Sequence, residues 1–161
     1  KQAIDENYST YSPVEGYLAL KEAICKKFKR DNDLTYTPSQ IVVSTGAKQS
    51  LYNIAQVMLN EGDEVILPAP YWVSYPDIIL LAGGTPKIVK CDEKDYFKLT
   101  PAKLKKAMSK KTKWIILNSP SNPTGSGYTR NEIEELSNII NEARLDPCFA
   151  NWPDGNGEQG L

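Results

Sequence analysis

Short apolar runs alternate with amphipathic stretches along most of this chain. Leu20, Ala23, Ile24 and Phe28 recur at helical spacing, with Lys21, Lys26, Lys27 and Lys29 on the other face, which predicts a helix over 18–30. The β-branched run Ile41-Val42-Val43-Ser44, preceded by the breaker Pro38, predicts a short strand. Residues 47–59 read as a helix with Leu51, Ile54, Ala55 and Met58 on one face. Glu61-Gly62-Asp63 is a turn, and Val65-Ile66-Leu67 a buried strand that Pro68 should stop. A short helix over 75–81 ends at Gly83-Gly84, and 86–91 alternates weakly as a strand. Thr100-Pro101 starts a helix with a hydroxyl cap and a proline in the first turn, and Leu104, Ala107 and Met108 give it an apolar face. Trp114 to Leu117 is the next strand. Thr129 to Glu132 is a capping box that opens a helix with Ile133, Leu136, Ile139 and Ile140 inward.

Strands alternating with helices in this order predict an α/β fold, a mostly parallel sheet covered by flanking helices. The pattern runs over residues 1–143. The remaining stretch, "RLDPCFANWPDGNGEQGL" (144–161), has two prolines, three glycines and no apolar run of strand length. It is expected to be a poorly structured tail in place of the next strand.

Composition narrows the chemistry. The chain has 161 residues, enough for one domain with a real core, and a net charge of -1 that implies no nucleic-acid or anionic-membrane partner. No apolar run approaches the roughly 20 residues that span a bilayer, and a secretory leader is not expected. There is no histidine, which excludes a Ser-His or Cys-His pair and a His general base. Cys25, Cys91 and Cys148 lie too far apart for a CxxC metal site, and their odd number argues against a disulfide framework. A cytoplasmic, reducing setting is expected. The chain opens on a lysine with a helix-like or turn-like sequence already under way, as if it began inside something longer.

Three segments leave the carboxyl ends of predicted strands, where α/β sheets bind ligands. In "STGAKQS" (44–50) a strand runs through Gly46 directly into a helix, whose first amides could hold a phosphate; alternatively Thr45 and Gly46 form only a tight cap. In "PAPYWVSYP" (68–76), Tyr71, Trp72 and Tyr75 could stack on a flat ligand or simply cover the core. In "SPSNPTGSGYT" (119–129), Asn122 stands before Pro123, which restricts it to extended geometry. Its carboxamide could donate to a ligand oxygen, or the segment could be only a turn that ends the strand. A phosphate site, an aromatic face and a donor for a ring oxygen together point to pyridoxal 5'-phosphate.

"YSPVEGYLALKEAI", "VVSTGAKQSLYN", "GDEVILPAPYWVSYPD" and "NSPSNPTG" resemble the class I, fold-type-I aminotransferases, within them the bacterial aspartate aminotransferases that include the aspartate/prephenate enzymes. The resemblance covers residues 3–141. It implies an incomplete fold-type-I large domain over 1–143, with a divergent tail over 144–161. It implies further that Gly46, Ala47 and Lys48 bind the cofactor phosphate. Trp72 would stack on the pyridine ring and border the substrate. Asn122 would hydrogen-bond the phenolic oxygen near the substrate carboxylate, and Tyr11 would reach the phosphate of a neighbouring subunit in a homodimer. The substrates implied are an amino acid, aspartate foremost, and a 2-oxo acid, 2-oxoglutarate. No position matches the family's Schiff-base lysine, its acid for the pyridinium nitrogen or its carboxylate-binding arginine. The expectation is therefore a fragment inactive by itself. A non-catalytic phosphate-binding module and a half-domain completed by a partner are the alternatives. The incomplete sheet of a fragment would leave open backbone edges and uncovered apolar helix faces, hence low stability and self-association, whereas a purposeful module should end its sheet with a capped or charged edge.

Overall fold

The computed structural model describes residues 1–143 and the backbone of 146–150. It divides into two compact units, Lys1–Ala47 and Lys48–Leu161. In the first unit, α1 (Gln2–Asp5) is a single turn and α2 (Leu18–Asn32) is the main element. Asp33 ends α2 in the left-handed conformation, φ 54°, and the following Leu34 N–H returns to the Phe28 carbonyl at 3.2 Å. Phe28 then packs edge-on against Tyr36, 5.6 Å between ring centroids.

Two expectations fail in this unit. Residues 41–44 form no strand. Ile41 is extended, φ -110° and ψ 128°, but the Val43 N–H goes to the Glu15 carbonyl at 3.0 Å instead of into a ladder. β-branched residues favour extended backbone, and a strand also needs a neighbour to pair with. Lys21, assigned by spacing to the polar face of α2, is the residue of that helix that is buried, whereas Leu20 is exposed. Its aliphatic stem is covered while its ammonium lies 3.5 Å from the Glu15 carboxylate.

The second unit is built on a sheet. After α3 (Ala47–Met58) come β1 (Glu64–Ala69), α4 (Ser74–Leu81), β2 (Thr85–Lys90), α5 (Pro101–Ala107), β3 (Thr112–Asn118), α6 (Arg130–Ala143) and β4 (Asp146–Ala150). The strand order is β2-β1-β3-β4, and every pairing is parallel. At the centre Val65 pairs with Trp114 and Ile66 with Ile115. Alternation along these strands builds two cores. Val65, Leu67, Trp114 and Ile116 meet Ala55 of α3 and Ile78 and Ile79 of α4. Ile66, Ile115 and Leu117 meet Leu104 of α5 and Leu136, Ile139 and Ile140 of α6 on the other face. A strand covered on both faces must be apolar at successive positions, which is why β1 and β3 read as continuous apolar runs.

The helix starts form as their sequence signals require. Thr100 Oγ1 accepts the Lys103 N–H at 3.3 Å. Glu132 accepts the Thr129 N–H at 2.7 Å, and the Glu132 N–H returns to Thr129 Oγ1 at 3.4 Å. Pro68 does not stop its strand: β1 continues to Ala69. The β1–β3 ladder has already ended at Ile66, so the missing N–H falls where β1 is paired on one side only.

The expectation that no strand follows α6 is corrected over Asp146–Ala150, which runs parallel to β3 with Trp114 opposite Asp146 and Asn118 opposite Ala150. A strand with Pro147 inside it and no β-branched run carries little local signal; the β3 backbone beside it supplies the pairing. Residues 144, 145 and 151–161 of the expected tail lie outside the described residues. On the opposite side β2 is the outermost strand, and Ile88, Leu80 and Leu81 are exposed there.

The two-faced core predicts a sharp contrast in urea unfolding. Ile115→Ala, fully buried at the sheet centre, should cost about 2–5 kcal/mol. Val57→Ala, on the exposed face of α3, should change stability by less than about 0.5 kcal/mol.

Candidate functional site

From β1 the chain crosses outward to β2, then returns past β1 to β3 and goes on to β4. The strand order therefore reverses between β1 and β3. In open parallel sheets such a switch point leaves a crevice beyond the carboxyl ends of the two strands, because their outgoing loops turn to opposite faces. An open cleft lies there. Leu67, Pro68, Pro70 and Tyr71 line it from β1; Leu117, Asn118, Ser121 and Asn122 line it from β3. Tyr75, Phe97 and Tyr128 complete the apolar part of the wall.

The exit of β1 is aromatic, and of its rings Tyr71 and Tyr75 line the cleft. Tyr75 is buried in the core, so part of this cluster does cover the sheet, as one sequence reading allowed. Tyr71 and Trp72 are only partly buried against it. Trp72 meets Tyr75 edge-on, with ring centroids 5.4 Å apart and planes at 83°. The Lys48 ammonium stands 4.9 Å from the Trp72 ring centroid, a cation over an electron-rich face.

The wall from β3 is a loop closed on itself. Ser119 Oγ accepts the Tyr128 N–H at 3.1 Å at its neck. The Ser121 N–H donates to the Ser126 carbonyl at 2.9 Å and the Gly125 N–H to the Ser121 carbonyl at 2.8 Å at its tip. Gly125 has φ 73°, a left-handed turn that side chains disfavour. Ser126 Oγ ties the tip to the Tyr96 carbonyl at 2.7 Å. Asn122 is exposed on this loop, and among the described residues its carboxamide has no hydrogen-bond partner. The peptide between Asn122 and Pro123 is cis.

Beneath the loop, Tyr128 receives the Leu99 N–H on its hydroxyl at 2.7 Å. Burial pushes this phenol up to about 12, although the bond from Leu99 pulls the other way. Lys98 pairs with Glu132 at 2.6 Å, joining the segment before α5 to the start of α6. Burial raises the Glu132 carboxyl, but Lys98 and the Thr129 donors outweigh it and hold the group below its ordinary value.

The residues singled out in the sequence thus fall into three places. Lys48 and Trp72 are in contact, and Asn122 lies at the cleft with Tyr71. Gly46, Ala47 and Tyr11 belong to the first unit. There Gly46 has φ 84° and nothing within 4 Å of where a Cβ would stand, so its backbone is open to approach from outside. Tyr11 is fully exposed. Sequence reasoning missed Asn118 and Tyr128. For Asn118 the available signal is an asparagine at the end of a strand, four residues before another in a proline-rich loop. Tyr128 has no local signal that sets it apart from any other loop aromatic.

The comparisons agree with this geometry. The model of the aminotransferase class I and II family matches residues 1–147, and the chain belongs to that family. It is 56% identical over 140 residues to the aspartate/prephenate aminotransferase of Cereibacter sphaeroides, covering 87% of this chain and 35% of that protein. It is 51% identical over 143 residues to the aspartate aminotransferase of Bacillus sp., covering 89% of this chain and 36% of that protein. Among solved structures, it is similar to the aspartate aminotransferase from Rhizobium meliloti, with a TM-score of 0.86, 40% identity, and coverage of 92% of this chain and 37% of the other. The aromatic aminotransferase from Pyrococcus horikoshii gives a TM-score of 0.86, 38% identity, and coverage of 92% and 40%. The chain therefore spans a little over a third of the length of these relatives, and its fold is the corresponding part of a fold-type-I aminotransferase.

Tyr128→Phe tests the support beneath the loop. It leaves the Leu99 N–H without an acceptor and should cost about 1–3 kcal/mol in urea unfolding at pH 7. Because the folded phenol titrates above its unfolded value, the stability it confers is fully present below about pH 10 and is lost as pH rises toward 12. The alkaline loss over that window should be smaller in Tyr128→Phe than in the unaltered chain.

Proposed function

We propose that this chain provides one side of a pyridoxal 5'-phosphate site in an aminotransferase that exchanges an amino group between an amino acid, aspartate foremost, and a 2-oxo acid, 2-oxoglutarate. The observation that carries the reading is the Asn122 carboxamide. It is exposed at the switch-point cleft, without a protein partner among the described residues, on a loop closed by hydrogen bonds at neck and tip. The relatives named aspartate and aspartate/prephenate aminotransferases support the choice of reaction.

The residues present fit the group by their donor chemistry. A neutral carboxamide can donate to the phenolic oxygen without first giving up a proton or a charge. The Trp72 ring offers a flat apolar face, already stacked under one cation. The amides of Ala47 and Lys48 open α3, where helix N–H groups have no internal partner and favour an anion, and the left-handed Gly46 lets it come close. The Gly46 N–H itself is turned to the Ser44 carbonyl at 2.8 Å, so the phosphate role falls to the next two amides. Bound there, the cofactor would supply an electron sink for bond breaking at the substrate α-carbon. Asn122 would hold its ring oxygen and border the substrate carboxylate. Trp72 would fix the ring plane and exclude water from one face. We assign exposed Tyr11 to the phosphate of a second copy in a homodimer, and the protein to the cytoplasm.

No lysine of this chain takes the covalent role in this reading, so the 161 residues by themselves should hold cofactor without transaminating. A titration of the purified chain with pyridoxal 5'-phosphate, read by tryptophan fluorescence, tests this. Saturable quenching is expected that falls at least about threefold in amplitude in Trp72→Phe. Asn122→Ala should weaken affinity about three- to tenfold, the worth of one hydrogen bond. Borohydride should then trap cofactor on no single lysine. Quenching indifferent to both substitutions refutes the site, and one stoichiometrically trapped lysine refutes the inactivity.

A further inference from the structure

Two of the hydrogen bonds that shape the loop after β3 come from one side chain. The Asn122 N–H donates to Asn118 Oδ1 at 2.9 Å, and Asn118 Nδ2 donates to the Pro120 carbonyl at 3.1 Å. The partners fix which way the carboxamide faces, since a backbone N–H only donates and a carbonyl only accepts. Asn118 is the last residue of β3, so its backbone is anchored by the sheet. Asn122 lies four residues further on, in a segment where Pro120 and Pro123 have no N–H to offer. The bonds that close the loop tip run between Ser121, Gly125 and Ser126 and do not involve Asn122. Its N–H is held by the strand end, not by its own loop.

We infer that Asn118 is a positioning residue. It ties the Asn122 backbone to the end of β3 and so sets the place of the Asn122 carboxamide before any ligand arrives. The inference rests on the reading of Asn122 as a ligand donor given above. The residue type follows from the two bonds. Alanine loses both, whereas aspartate keeps the acceptor for Asn122 but turns a negative oxygen toward the Pro120 carbonyl.

The test reads the tie without ligand and then with it. In amide hydrogen exchange followed by NMR, Asn118→Ala should speed exchange at Asn122 about tenfold while Ser121 and Gly125 stay within about twofold. Asn118→Asp should keep Asn122 protected, which separates the lost acceptor from a damaged strand. Unchanged exchange at Asn122, or equal acceleration throughout the loop, overturns the inference. In pyridoxal 5'-phosphate titrations, Asn118→Ala should weaken affinity about three- to tenfold, and less than about twofold when Asn122 is already alanine. Equal losses on both backgrounds overturn it too, because Asn118 would then act on the strand and not through Asn122. If the unaltered chain binds no cofactor, the proposed function fails, and the exchange rates alone decide whether the tie exists.

Discussion

The parallel pairing of β1 with β3 is the contact on which the rest of the second unit depends. Val65 meets Trp114 and Ile66 meets Ile115 across a long stretch of chain that contains α4, β2 and α5. Such a contact cannot be made locally. It costs loop-closure entropy, and the return comes from burying both faces of both strands. Once made, it brings together two loops that have nothing to do with each other in sequence, the aromatic exit of β1 and the proline-rich exit of β3. The cleft is a consequence of strand order, since only between these two strands does the direction of the chain across the sheet reverse.

What lies at the cleft is a hydrogen-bonded loop on one side and an apolar wall on the other. The loop after β3 is closed at its neck by Ser119 and Tyr128, at its tip by Ser121 and Ser126, and to the sheet by Asn118. A side chain carried on such a loop loses little conformational freedom when it meets a ligand. The exit of β1 contributes packing instead: Tyr75 is part of the core, and Trp72 leans on it with Lys48 over its ring. The polar and the aromatic contributions to ligand recognition thus come from different strands, each held by its own neighbours.

Much of this was legible in the sequence, for reasons that can be named. The continuous apolar runs at 65–67 and 114–117 declared strands covered on both faces, and Thr129 with Glu132 declared the start of α6. The phrase around Asn122 and the aromatics around Trp72 marked the two exits. The failures have physical causes too. At 41–44 a β-branched run found no partner strand among the described residues, and the Val43 N–H went to the Glu15 carbonyl. At 146–150 the reverse held, and a ladder partner made a strand from a segment without local propensity. Lys21 is buried because its charge meets Glu15, a pairing that helical spacing within α2 does not reveal. The tie from Asn118 escaped notice because it depends on the loop folding back over four residues.

The most direct test of the central claim is a residue-by-residue NMR map of the isotope-labelled chain as pyridoxal 5'-phosphate is added. The account predicts saturable shifts at the Asn122 side-chain amide and the Trp72 indole N–H, together with the amides of Ala47 and Lys48, while Ile66 and Ile115 at the sheet centre stay in place. Shifts spread over exposed lysines, with Asn122 and Trp72 unmoved, would contradict it.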